Sequence, residues 1–238
     1  MPKIHNFYRI IKSYLATFIF QRSILRKIIY SNRPQEGEDI IIKRILNYKK
    51  GLFVDIGAHH PIKYSNTYEL YEDGWNGINI EPNLKNFKII TKYRKRDVNI
   101  NCAISNKKKL NYYIFKESAL NTTSEKIVKL RKRQNFNYIS KINIRCSTLN
   151  NIFKKHLKNR EIDLLNIDIE GSEYEALITN DWKKYRPKMI ICEALESSID
   201  TASKNKITKL LKRNGYIFFS KLYHNIIFLR KDFFKETF

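Results

Sequence analysis

The chain is poor in cysteine. Three in 238 residues, Cys102, Cys146 and Cys192, stand far apart with no paired spacing, which excludes a disulfide framework and a zinc site built on close cysteine pairs. Each lies in an apolar, strand-like run, where a reduced thiol packs as a small hydrophobe, and a cytoplasmic protein is expected. Long apolar runs are also missing. The segment Ser13 to Phe20 is too short to span a bilayer. Arg22, Arg26 and Lys27 follow it with no small-residue cleavage site, so no signal peptide is expected. There is no internal repeat and no basic–aromatic module of the RNA-binding kind. Acids are scarce: 23 Asp and Glu against 46 Lys and Arg, a net charge of +23. Such a field attracts phosphate polymers, anionic lipid or acidic substrates. Lysine, asparagine and isoleucine are abundant throughout, and the cations look spread out rather than gathered. The charge therefore reads first as a compositional bias of the genome.

What is present is ample for one large domain, with 42% hydrophobic residues. Residues 1–36 form a basic amphipathic helical extension and linker, with Phe7, Ile10, Ile11, Tyr14, Leu15 and Phe18 at helical spacing. The favoured reading packs this helix on the main domain or a second subunit. Peripheral contact of residues 1–30 with an anionic membrane, at its inner face, is the alternative. Residues 37–238 form the main domain, entered by a helix from Asp39 to Lys49.

Two runs organise that domain. In the first, Leu52 to Ile56 reads as a strand covered on both faces, and Asp55 and Gly57 stand where it ends. Gly57 lets a backbone approach a ligand closely, since no Cβ intervenes. Ser65 or Asn66 caps the next helix and Gly74 ends it. Ile78 and Ile80 resume a strand that closes on Glu81, and an acid at that tip suits a ribose diol. In the second, Leu164 to Ile167 is a central strand, Ser172 and Glu175 form a capping box, and Asp168 and Glu170 lie between them. That is the edge where open α/β sheets bind ligands.

Between these runs, Pro82-Asn83 opens a helix to about Tyr93, and Val98 to Ile104 is the third strand with Leu110 to Phe115 beside it. Residues 116–140 are polar and basic and read as an insertion covering an active site. Ile142 to Cys146 is a short strand, Thr148 to Leu157 a helix, Pro187 to Glu193 a strand, and Thr201 to Arg213 a helix. Gly215 to Ser220 and Asn225 to Arg230 are joined so tightly that they must be antiparallel neighbours. The fold expected is a doubly wound, Rossmann-like, seven-stranded sheet of the class I methyltransferase kind with a terminal antiparallel pair.

The ordered set Phe53-Val54-Asp55-Ile56-Gly57-Ala58-His59-His60-Pro61, Ser65-Asn66-Thr67-Tyr68, Gly74-Trp75, Gly77 to Pro82 and Ile167 to Glu173 resembles the FkbM-type methyltransferases. Trp182, Arg186-Pro187 and Asn225 to Phe228 fit the same pattern, and the resemblance covers roughly residues 50–230. It implies S-adenosylmethionine as methyl donor and a hydroxyl acceptor, commonly on a sugar or other secreted metabolite. Carried over, Asp55, Gly57 and Ala58, with Ser65, line the methionine part, Glu81 holds the ribose, Ala103 and Ile104 flank the adenine, and Asp168 sits by the sulfonium and the acceptor. His60-Pro61 stands where many relatives have a second glycine.

A hydroxyl acceptor must lose a proton, and Asp168 and Glu170 are the first candidate bases, with Glu193 or His59 in reserve. The carboxylate pair would instead hold a divalent cation only with a third ligand, which spacing does not supply, so no metal ligand is assigned. The expected activity is O-methylation of a sugar in a surface glycan or glycolipid precursor. RNA methylation exploiting the +23 charge is a first alternative. A catalytically silent protein that keeps the fold for membrane or partner contact is a second.

Overall fold

The computed structural model describes residues 36–47, 49–194 and 198–237. The expected amphipathic extension falls almost wholly outside them. Helix α1 (Glu38–Ile45) enters strand β1 (Leu52–Ile56), followed by α2 (Tyr68–Glu72), β2 (Asn76–Ile80), α3 (Leu84–Tyr93) and β3 (Val98–Ile100). After β4 (Ala103–Ile104) and β5 (Lys109–Ile114) come α4 (Glu125–Arg133), β6 (Ser140–Ser147), α5 (Leu149–His156) and β7 (Leu164–Ile167). The chain ends through α6 (Glu173–Leu177), β8 (Met189–Glu193), α7 (Ile199–Lys204), α8 (Lys206–Arg213), β9 (Tyr216–Lys221), β10 (Asn225–Arg230) and α9 (Lys231–Thr237).

The main sheet has seven strands in the order β3-β2-β1-β7-β8-β10-β9. Its pairs are parallel up to β8, and β10 is antiparallel to both its neighbours. This is the expected doubly wound sheet. The order reverses between β1 and β7, so the carboxyl ends of these two strands flank the crevice where such sheets bind ligands. Strands β1, β7 and β8 are buried along their whole length, because helices cover both faces. One core lies on each side, around Leu165, Ile190 and Phe153 and around Phe53, Leu164 and Ile191.

A polar row crosses this apolar sheet one residue before the strand ends. Asn99, Asn79, Asp55 and Asn166 are register partners on β3, β2, β1 and β7. Asn79 donates to Asn99 at 2.9 Å, and Asn166 donates to Asp55 at 2.9 Å. Thr67 donates to the other Asp55 oxygen at 2.7 Å, and Asn66 donates to Asn166 at 3.0 Å. Buried polar groups must be satisfied, and here they satisfy one another across four strands.

Several boundaries differ from expectation. The third strand breaks after Ile100. Asn101 turns its side chain onto the carbonyls of Glu81 and Pro82, and Ala103–Ile104 leaves for a second sheet, β4-β6-β5. There β5 pairs antiparallel with β6, not with the third strand. The helix expected from Thr201 to Arg213 is two helices. Asn205 is extended and accepts from the Thr208 N–H at 2.7 Å, starting the second. Thr67, not Ser65 or Asn66, is the N-cap of α2. Ser172 is the N-cap of α6 but caps nothing with its side chain, which meets the Thr123 hydroxyl at 2.8 Å.

Candidate active site

A cavity of about 460 Å³ lies at the carboxyl ends of β1, β2, β7 and β8. Asp55, Gly57, Ala58, Ser65, Glu81, Ala103, Ile104, Asp168 and Glu170 all line it, so the structure brings the sequence-predicted site residues together.

The loop after β1 is held from behind. Arg94, 2% exposed, donates to the Pro61 carbonyl at 2.7 Å, to the Thr67 carbonyl at 3.2 Å and to the Ser65 hydroxyl at 3.1 Å. Ser65 is therefore spent on positioning as much as on lining. Asp55 has both carboxylate oxygens engaged by Thr67 and Asn166 and shapes the cavity from within the sheet. Burial raises its pKa, against the pull of those two hydrogen bonds. Gly57 has φ +84, and a Cβ there would overlap the Asp168 carbonyl oxygen, so the two strand ends converge only because this residue is glycine.

Glu81 accepts from the His59 N–H at 2.9 Å and from the Asn83 N–H at 2.7 Å, one on each oxygen. Each oxygen keeps a second acceptor site for a neighbouring pair of hydroxyls. Burial pushes its pKa up to about 7. Beyond it, Ala103, Ile104 and Tyr112 give apolar walls for a flat ring. The chemistry of this donor set fits a nucleoside: a fixed carboxylate for the diol, a dry slot for the base, and a glycine turn for close approach. The volume is in the range of small-molecule sites.

The other half of the cavity is crowded with acid. Asp168, Glu170 and Glu193 each place a carboxylate oxygen within 4.8 Å of the others. Regular strand alternation does not achieve this, because β7 ends at Ile167 and Glu170 has φ +58. The turn after the strand swings Glu170 round, and Glu193 arrives on the neighbouring strand. Asp168 is open to the cavity and enclosed by protein elsewhere. Burial raises its pKa well above the usual carboxylate range, helped by the charges of Glu170, Glu173, Asp55 and Glu38. Glu193 is raised by burial and by Asp168. Glu170 is raised by burial, while Arg131, with which it forms an ion pair, opposes the shift. Acidic trios of this kind are common without a bound ion, and here Arg131 already neutralises one member.

Residues 116–140 close over this half. Thr122 donates to the Glu170 carbonyl at 2.7 Å, Arg131 reaches the Glu170 carboxylate and the Leu120 carbonyl, and Ile127 packs where a Cβ on Gly171 would stand. His59, the reserve base, meets the Ser118 hydroxyl at 2.9 Å, and burial lowers its pKa. His224 is a further residue of this half. It lines the cavity with Nδ1 2.7 Å from Glu36, which also accepts its N–H at 2.6 Å. Sequence reasoning missed Asn166, Arg94, Arg131 and the His224–Glu36 pair. Asn166, a polar residue inside an apolar strand, was the one visible signal. Trp182 donates to the Leu177 carbonyl and packs edge-on against Tyr216, away from the acceptor side.

No curated protein matches the chain. Among solved structures it is similar to a precorrin-6y C5,15-methyltransferase from Geobacter metallireducens GS-15, at 12% identity and TM-score 0.40, covering 80% of this chain and 86% of that one. It is also similar to an O-methyltransferase from Bacillus cereus solved with SAH, at 14% identity and TM-score 0.38, covering 86% and 87%. The family model described as the methyltransferase FkbM domain matches residues 55–218, from Asp55, one residue before the end of β1, to the middle of β9. The chain belongs to the FkbM family of S-adenosylmethionine-dependent methyltransferases.

Proposed function

We propose that the protein is an O-methyltransferase acting on a sugar hydroxyl of a surface glycan or glycolipid precursor. The observation that carries this is the place of Asp168: a carboxylate open to the cavity at the tip of the central strand, beside Glu170 and Glu193, with its pKa raised by burial and like charge. When bound, S-adenosylmethionine supplies an electrophilic methyl group on a sulfonium. Glu81 holds its ribose, and Asp55, Gly57, Ala58 and Ser65 bound its methionine end. Asp168 would take the proton that the acceptor hydroxyl gives up, freeing an oxygen lone pair for the methyl group the cofactor would supply. A raised pKa makes Asp168 a stronger base for that transfer. Proximity and alignment supply the rest. Glu170, tied to Arg131, is a positioning residue in this scheme. Asn121, Thr122, Thr123 and His224 give the acceptor side the polar lining that a polyol requires.

The test is a labelled-methyl assay with the full chain on cell extracts split into glycan, lipid, RNA and protein fractions. Label in the glycan or glycolipid fraction is expected. Label confined to RNA or protein overturns the acceptor assignment. Absence of cofactor binding by calorimetry would mark a silent protein and overturn the enzymatic reading.

A further inference from the structure

The insertion has an outer face that cavity chemistry does not use. Residues 126–145 contain seven lysines and arginines and no acid. Among the large hydrophobics exposed in the described residues, Phe136, Tyr138 and Ile139 stand together on the segment from α4 to β6. Ile139 is 70% exposed and Phe136 53%. Local geometry holds them there. Helix α4 ends with Asn135 in the left-handed region, the Asn135 N–H donating to Lys132 and the Phe136 N–H donating to Arg131. This pair of bonds folds Phe136 back over the last helical turn. Ile139 is then fixed by its N–H to the Ile114 carbonyl at 2.7 Å, at the entry to β6. Around these apolar tips, Lys126, Lys129, Lys132, Arg133, Lys141 and Arg145 are exposed, and none forms an ion pair with a described residue.

Apolar side chains raised among unpaired cations match a surface that is anionic outside and hydrocarbon within. A single-stranded nucleic acid could use the cations and stack on Phe136, but it would leave Ile139 in water. A protein partner would need acids that no described feature calls for. The inner face of α4 meets the cavity through Ile127, Leu130, Arg131 and Gln134, so the outer face and the cavity mouth are two sides of one helix.

We propose that the face built by α4, the segment after it and β6 docks on an anionic lipid bilayer. Phe136 and Ile139 enter the acyl boundary and the six cations meet lipid phosphates. The docking itself does not depend on which acceptor is methylated.

Residues 1–35 are also basic, so the readout must report on position 139. In the full chain, Ile139→Trp is mixed with vesicles of phosphatidylglycerol and phosphatidylcholine carrying brominated acyl chains. Strong quenching beyond that of the parent protein is expected, since Trp75 is buried and Trp182 is packed on Tyr216 away from this face. Vesicle sedimentation should weaken more than tenfold for Phe136→Ser/Ile139→Ser. It should also weaken by about fivefold for each of Lys129→Gln, Lys132→Gln and Arg133→Gln. These exposed changes leave cofactor binding as the control for folding. Vesicle binding without quenching at 139, no binding to anionic vesicles, or equal binding by the double variant would each overturn the proposal. So would binding to polyuridine that is tighter than to vesicles and unaffected by Phe136→Ser/Ile139→Ser.

Discussion

The two halves of the cavity are built on opposite principles. On the cofactor side every polar group already has a protein partner: Asp55 with Thr67 and Asn166, Glu81 with two backbone N–H groups, Ser65 with Arg94. On the acceptor side Asp168, Glu170 and Glu193 crowd together, and Arg131 is the one cation in ion-pair contact with them among the described residues. The first half is rigid because it is satisfied, which suits a ligand that is the same at every turnover. The second keeps electrostatic stress, which suits a group that must change its protonation in each cycle. Stability lives in one half and reactivity in the other.

The sharpest way to break that contrast is Asp168→Asn. It should lower turnover by about 10² to 10⁴-fold while leaving the circular dichroism and the thermal transition intact. Kinetics with labelled methyl donor check this, and a fully active variant would remove Asp168 as the base. Gly57→Ala should act the other way, on stability. Strain at positive φ and overlap with the Asp168 carbonyl should cost about 3 kcal/mol in denaturant melts and abolish cofactor binding.

The pH dependence of stability sharpens the comparison further. Glu81 has a folded pKa of about 7 against an ordinary value of 4.5, so the folded protein binds the extra proton between those values. Its contribution is fully present below pH 4.5 and is lost as pH rises through 7. The ligand-free protein should therefore lose stability across that window, by about 3 kcal/mol at most. Glu81→Gln should flatten the part due to this residue. Arg131→Met should cost less, about 2 kcal/mol, because Glu170 can take up a proton once its partner is gone. Limited proteolysis should then cut within residues 116–140 before the rest of the domain. Glu81→Ala should weaken cofactor affinity by about tenfold in calorimetry. Unchanged affinity would discard the ribose assignment.

The cofactor side was legible in the sequence because its signals are local. A strand, a glycine and an acid within a few residues specify where Asp55, Gly57 and Glu81 stand. The acceptor side was legible only in part. Asp168 follows directly from the end of its strand, but Glu193 joins it from β8, which no spacing within one segment announces. Arg131 was hidden in the basic run Lys129 to Arg133, where nothing local distinguishes the buried cation from its exposed neighbours. The same run made the charge look evenly spread, whereas residues 126–160 carry no acid at all. The capping box at Ser172 was read correctly as a helix start and wrongly as a side-chain bond, since the Thr123 hydroxyl competes for the serine.

By itself the chain order of apolar strands and helices determined the doubly wound sheet and the edge at which its ligand binds. Parallel strands need buried faces, and each tip leads into a turn that its own residues define. Only the tertiary structure decided which charges meet. Coulomb interaction and desolvation depend on distance and enclosure, and the distances among Asp168, Glu170, Arg131 and Glu193 are set by the packing of three separate segments.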